Sequence, residues 1–241
     1  MKKHRQFHRS KLFVCLAVAS CCAVVGCNAN KYNVEGKRLY EQGQYPQAIS
    51  SFQQALKVQP RDANAYYNLG VTFHQLGNQA KNPQTLAQAE SFYRQAIENN
   101  PDHVEAHRGL AVLLAETNRK ELAFQTLRDW LSSRPDSTDA RIELARLYKE
   151  FGDKTTATQL LSDALNVDYR NARALRALGH IREENGDLAQ AIANYQRSYE
   201  INNVQTDLPQ RIGYLQQRLA STYNFYPEPT RVVNSENDNS R

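Results

Sequence analysis

Small and large apolar residues recur along this chain in a fixed order, separated by polar stretches. From Tyr32 to Pro60 the order is Tyr32, Gly36, Leu39, Gly43, Tyr45, Ala48, Phe52, Ala55, Pro60. Apolar positions three and four apart predict one face of a helix, the mid-way glycine predicts a break, and the proline predicts a stop. The unit reads as two short helices folded against each other.

The same order returns in five registers. A first small place holds Gly36, Gly70, Ala111, Ala145 and Gly179; a second holds Ala48, Ala89, Ala123, Ala157 and Ala191. The large place that follows holds Phe52, Tyr93, Leu127, Leu161 and Tyr195. The period is 34 residues, lengthened once to 41 by a seven-residue insertion at 79–85. A fixed period of this size marks stacked supersecondary units, because no single helix pair buries its apolar face alone.

The second copy, with Tyr66, Leu69, Gly70, Phe73, Gly77, Ala89, Tyr93, Ala96 and Pro101, resembles the tetratricopeptide repeat. The resemblance implies an all-α protein, an α-solenoid of helix pairs stacked into a right-handed superhelix. The repeats are expected at 32–62, 63–103, 104–137, 138–171 and 172–205. Gly43, Gly77, Gly152 and Gly186 are expected to end first helices in left-handed caps, and Pro60, Pro101 and Pro135 to follow second helices. Asn82 before Pro83 predicts an N-cap and a second helix one turn longer than its siblings. Trp130 stands where Ala55, Ala96 and Ala164 stand elsewhere, either as core or as a partly exposed ligand anchor. Glu35 stands where Leu69, Leu110, Leu144 and Leu178 recur, which suits a terminal repeat.

Beyond Asn203 the pattern changes. Leu208, Ile212, Leu215 and Leu219 predict a capping helix over 206–222, and 223–241, rich in Pro, Asn and Ser, reads as a disordered tail.

Charge and cysteine are confined in an informative way. Five of the 30 basic residues, Lys2, Lys3, Arg5, Arg9 and Lys11, precede residue 27 with no acid among them, leaving a body in which acids and bases are equal in number. That balance gives no support to nucleic-acid binding. All four cysteines, Cys15, Cys21, Cys22 and Cys27, lie in the same stretch, so the body has no disulfide framework. Basic residues followed by the apolar run Leu12 to Gly26 follow the plan of a signal peptide over 1–26. Its end, Val24, Val25, Gly26, Cys27, resembles the bacterial lipobox. The resemblance implies cleavage after Gly26, acylation of Cys27 and a short tether at 27–31. Asn28 lacks the aspartate of inner-membrane retention, so the expected place is the cell envelope, facing the periplasm, with the outer membrane favoured.

Candidate chemistry is sparse. His103 and His107, four apart, could begin the site of a metal-dependent hydrolase, but no cysteine is near and no third ligand is evident. Phosphate-cradling, nucleophile-elbow and zinc-protease motifs are absent. No catalytic residue, metal or cofactor is expected. In the tetratricopeptide family ligands lie along the inner face of the first helices. The resemblance places Asn33, Lys37, Asn64, Tyr67 and His74 there in the first two repeats, and Arg108, Arg146, Lys149, Arg173, Arg176 and His180 in the later three. A peptide with an apolar part for Tyr67 and an acidic part for Arg146 and Arg176 is the expected ligand; a solvated mixed face is the alternative. Tyr67, Val71 and Val112 replace polar groups of the chaperone-binding carboxylate clamp, so that activity is not expected. The chain reads as a lipid-anchored adaptor for envelope proteins, with a hydrolase or a self-associating structural protein as alternatives.

Overall fold

The computed structural model describes residues 29–225, which form eleven α-helices and no strand. They are α1 (29–41), α2 (Tyr45–Val58), α3 (Ala63–Ala80), α4 (Pro83–Asn99), α5 (Val104–Glu116), α6 (Lys120–Ser133), α7 (Thr138–Glu150), α8 (Lys154–Val167), α9 (Ala172–Glu184), α10 (Leu188–Ile201) and α11 (Leu208–Phe225). Consecutive helices pair as hairpins, giving an α-solenoid of the expected class. The chain divides at Ser133 into two compact units. Gly26, Cys27 and most of the expected tail lie outside the described residues.

Capping residues set where the helices begin. Asp62, Asn82, Ser137, Asp153 and Asn171 each accept hydrogen bonds from backbone N–H groups two or three residues on. These are donors that the first turn of a helix leaves unpaired. Asn82 caps α4 with Pro83 as its first residue, and α4 runs 17 residues against 14 in α2, α6, α8 and α10, a turn longer as the insertion predicts.

Three expectations need correction. Gly43, Gly152 and Gly186 do close hairpins with positive φ of 73°, 87° and 86°, but Gly77 is not a cap. It lies buried inside α3, where a Cβ would meet the Leu86 side chain at 2.6 Å, and α3 continues to Ala80 before Lys81 turns left-handed at φ 49°. The insertion thus lengthens both helices of the second repeat. Residues 29–31 of the expected short tether already belong to α1, with Ala29 buried. At the other end the capping helix starts at Leu208 and runs to Phe225, past the expected boundary at 222.

Size complementarity explains the core. Where the first small place is glycine, the large place is aromatic. An added Cβ would come within 3.0 Å of the Phe52 ring at Gly36, 2.7 Å from Tyr93 at Gly70 and 2.7 Å from Tyr195 at Gly179. Where the small place is Ala111 or Ala145, the large residue is Leu127 or Leu161, both buried. At the crossing a bulkier ring is matched to a missing methyl group, and a smaller leucine to an alanine. Each fully buried ring or leucine contributes roughly 1.5–3 kcal/mol.

Candidate functional site

In the first unit the residues assigned to the inner face divide into buried and accessible ones. Asn33 is buried, and its amide donates to Asp62 Oδ2 at 2.7 Å while Asp62 Oδ1 caps α3. That residue ties α1 to α3 and is occupied in doing so. Lys37 and Asn64 are exposed, Arg108 half-buried. Tyr67 is half-buried, its ring 5.1 Å from the His103 ring and 6.1 Å from that of Tyr93. Burial raises the pKa of its hydroxyl, so the ring offers a neutral donor.

His74 forms the floor beside it. Its Nε2 is 2.9 Å from Glu116 Oε2 and its Nδ1 is 3.3 Å from the Tyr93 hydroxyl, while Asn78 donates to the same carboxylate oxygen at 3.0 Å. The carboxylate calls for a hydrogen on Nε2, leaving Nδ1 to accept from Tyr93. Tyr93 is buried beneath Gly70 and Gly109, and burial pushes its hydroxyl pKa far up. This network fixes the face on which Tyr67 stands.

The second unit repeats the device with other residues. Buried Tyr195 reaches past Gly179, donates to Glu183 Oε2 at 2.8 Å and lies 3.0 Å from His180 Nδ1. Arg211 of α11 holds the same Glu183 oxygen at 2.7 Å. The basic residues expected to await an acidic ligand are engaged within the chain. Arg173 forks onto Asp139 and the buried Glu143, Lys149 meets Glu184 at 2.6 Å, and Arg176 meets Asp207 at 2.7 Å. Arg146, exposed, has Glu143 at 4.0 Å. An acidic ligand at Arg176 must displace Asp207.

The two histidines weighed as metal ligands have other work. His103 is the N-cap of α5, its Nδ1 accepting from the Ala106 N–H at 3.3 Å. His107 donates from Nε2 to the Pro101 carbonyl at 2.9 Å, the bond that Tyr66 makes to the Pro60 carbonyl one repeat earlier at 3.2 Å. Among the described residues no group of three or more His, Cys, Asp or Glu is placed to hold a metal ion. Trp130 is 4% exposed and stacks on His107 at 4.0 Å, with 3° between the ring planes. It is a core residue, bordering a cleft of about 420 Å³ with Arg94, Ile97, Pro101 and Leu110.

Burial lowers the pKa of His103, His107 and His180; neighbouring Arg211, Arg176 and Lys149 add to the effect at His180. A ring that binds its proton less tightly when folded stabilises the fold above its unfolded pKa of about 6.5, and that contribution is lost as pH falls through the lowered folded value. The denaturant midpoint is therefore expected to be lower at pH 5.5 than at pH 7.5. In a His107→Tyr chain, whose hydroxyl can take over the bond to Pro101, the gap narrows. Glu90, Glu183 and Glu184, whose pKa values are lowered, stay charged across this window.

The sequence matches family models described as TPR repeat over residues 36–77 and tetratricopeptide repeat over residues 85–139 and 142–204. The chain belongs to the tetratricopeptide-repeat family. Among solved structures, a thermophilic TPR protein of Thermus thermophilus, TTC0263, aligns at a TM-score of 0.58 and 23% identity, over 78% of this chain and 99% of that one. A Pseudomonas aeruginosa pilF structure aligns at 0.51 and 17% identity, over 85% and 95%. Both likenesses concern the fold. Curated relatives include protein O-mannosyl-transferase Tmtc3 of Drosophila melanogaster, 32% identical over 100 residues, 39% of this chain and 11% of that protein. TMTC2 of Homo sapiens is 33% identical over 95 residues, 38% of this chain and 10% of that protein. The chain spans about a tenth of the length of these relatives. Tetratricopeptide repeats are protein-interaction scaffolds, and among the described residues no helix is long and apolar enough to cross a membrane.

Proposed function

We propose that this tetratricopeptide protein is a lipid-anchored, non-catalytic scaffold that recruits a protein partner in the cell envelope through the first-helix face of its N-terminal unit. One observation carries the partner site. Tyr67 is a half-buried ring held between His103 and Tyr93, and Lys37 and Asn64, assigned to the same face, are exposed. Rigid aromatic anchors of this kind dominate binding energy, because little side-chain entropy is lost when a partner covers them. In the second unit Arg173, Lys149 and Arg176 are engaged with acids of the chain itself, so the N-terminal face is the better candidate.

The anchor rests on the lipobox-like Val24, Val25, Gly26 and Cys27 after an apolar run too short to span a bilayer. Several acyl chains on Cys27 would hold the protein stably, at about 0.8 kcal/mol per buried methylene. The outer membrane is the favoured site, as Asn28 follows the cysteine. Expressed in a bacterial host, wild type is expected in the membrane fraction, with mass spectrometry placing the acyl groups on Cys27, and Cys27→Ala in the soluble fraction. Unchanged membrane association of the variant would sink the anchor while leaving the scaffold reading intact.

A further inference from the structure

The helix expected to cap the solenoid keeps the repeat register. Ile212 lies 34 residues after Leu178, which itself follows Leu144 and Leu110 at the same period. Leu215 follows Ile181 in the same way, and Gly213 follows Gly179. The helix α11 is therefore the first helix of a sixth unit. Its buried side, Leu208 and Leu215 with half-buried Ile212 and Leu219, packs on α10. Among the described residues no second helix packs on its other face. An added Cβ at Gly36, Gly70 or Gly179 runs into the aromatic ring of a second helix, whereas among the described residues one at Gly213 meets nothing within 4 Å. Leu178 and Gly179 are buried; Ile212 and Gly213 are half-exposed, and Tyr214 beside them is 56% exposed.

The filled repeats state what fits that face. In each repeat with glycine at the small place, the second helix carries an alanine and, four residues later, a ring: Ala48 and Phe52, Ala89 and Tyr93, Ala191 and Tyr195. Neither spacing of the filled repeats supplies this pair: 12 and 16 residues after Gly213 stand Phe225 and Pro229, and 19 and 23 after it, the spacing of the second repeat, stand Val232 and Glu236. The aromatic helices of a second copy are already seated under their own glycines. We propose that α11 is half of a repeat completed in trans by a partner protein's amphipathic helix, which carries an Ala-x-x-x-Phe or Ala-x-x-x-Tyr motif. The ring inserts over Gly213 as Tyr195 does over Gly179. This site is separate from the Tyr67 face and stands without it.

A labelled, helix-stapled peptide with the sequence Leu188–Ile201 serves as the probe, titrated onto the full chain and followed by fluorescence anisotropy. Saturable binding is expected, weakened about tenfold or more when the peptide carries Tyr195→Ser or the chain carries Gly213→Leu, because both remove a ring from its pocket. Open space at Gly213 and the better helix propensity of leucine mean that Gly213→Leu does not lower the unfolding temperature. Gln53→Ala, at an exposed position of the N-terminal unit, leaves peptide binding unchanged. Absence of saturable binding overturns the proposal, as does binding that Gly213→Leu leaves intact. Light scattering that shows self-association abolished by Gly213→Leu overturns it in favour of a second copy.

Discussion

Arg173→Ala is expected to destabilise the C-terminal unit by about 3 kcal/mol, read as a lower midpoint in urea unfolding. The Arg173 guanidinium reaches from α9 to two acids of α7, Asp139 and Glu143. The first is 40% exposed and is solvated when the arginine goes. The second has a side chain 1% exposed, and truncating Arg173 takes a charged partner from a buried carboxylate that has Arg146 4.0 Å away. Breaking such a pair costs more than the pair contributes, since the desolvation already incurred is no longer offset. The double variant Arg173→Leu with Glu143→Leu removes both charges and should lie closer to wild type than Arg173→Ala alone. If the double variant is the less stable, Glu143 is not held by Arg173.

Gly36→Ala is expected to cost ~1–3 kcal/mol from overpacking, partly offset by the roughly 1 kcal/mol that alanine gains in helix propensity. The added methyl group would run into the Phe52 ring, which is 1% exposed and has no space to retreat into. Combined with Phe52→Leu, the substitution recreates the pairs Ala111 with Leu127 and Ala145 with Leu161. The double variant should be more stable than the sum of the singles by about 1–2 kcal/mol, a coupling within the range for residues in contact. Additive single effects in thermal unfolding would show that the glycine is not there for the ring.

Much of the fold was legible because helix pairs crossing at a fixed distance need small and large residues at fixed intervals. That requirement marks every copy, and it located the hairpins, the insertion and the capped start of α4. Gly77 was misread because glycine serves two physical ends, a left-handed turn or a close approach. Only the presence of Leu86 against it decides between them. The residues that occupy the candidate site were half-legible. Asp139 and Arg173, or Glu183 and Arg211, look like separate solvated charges when each helix is read by itself. Read across the repeat, Arg173 lies 34 residues from Asp139 and 30 from Glu143, and Arg176 lies 31 from Asp207. Only the first of these equals the 34-residue period; the other two fall three or four residues short, a helical turn away, so the period alone does not give the pairing. Asn33 and Asp62, 29 residues apart, are likewise off the period. The match of Gly36, Gly70 and Gly179 with Phe52, Tyr93 and Tyr195 was present in the sequence, visible only when two places are compared across all copies.

Site-specific photocrosslinking in membranes tests the scaffold most directly. A benzophenone amino acid is placed in turn at Lys37, Asn64 and Tyr67 on the first-helix face, and at exposed Gln53 and Ser91 on the second helices. The same protein adduct is expected from the first three positions and not from the last two. Adducts from Gln53 and Ser91 alone, or equally from all five, would contradict a partner site on the first-helix face.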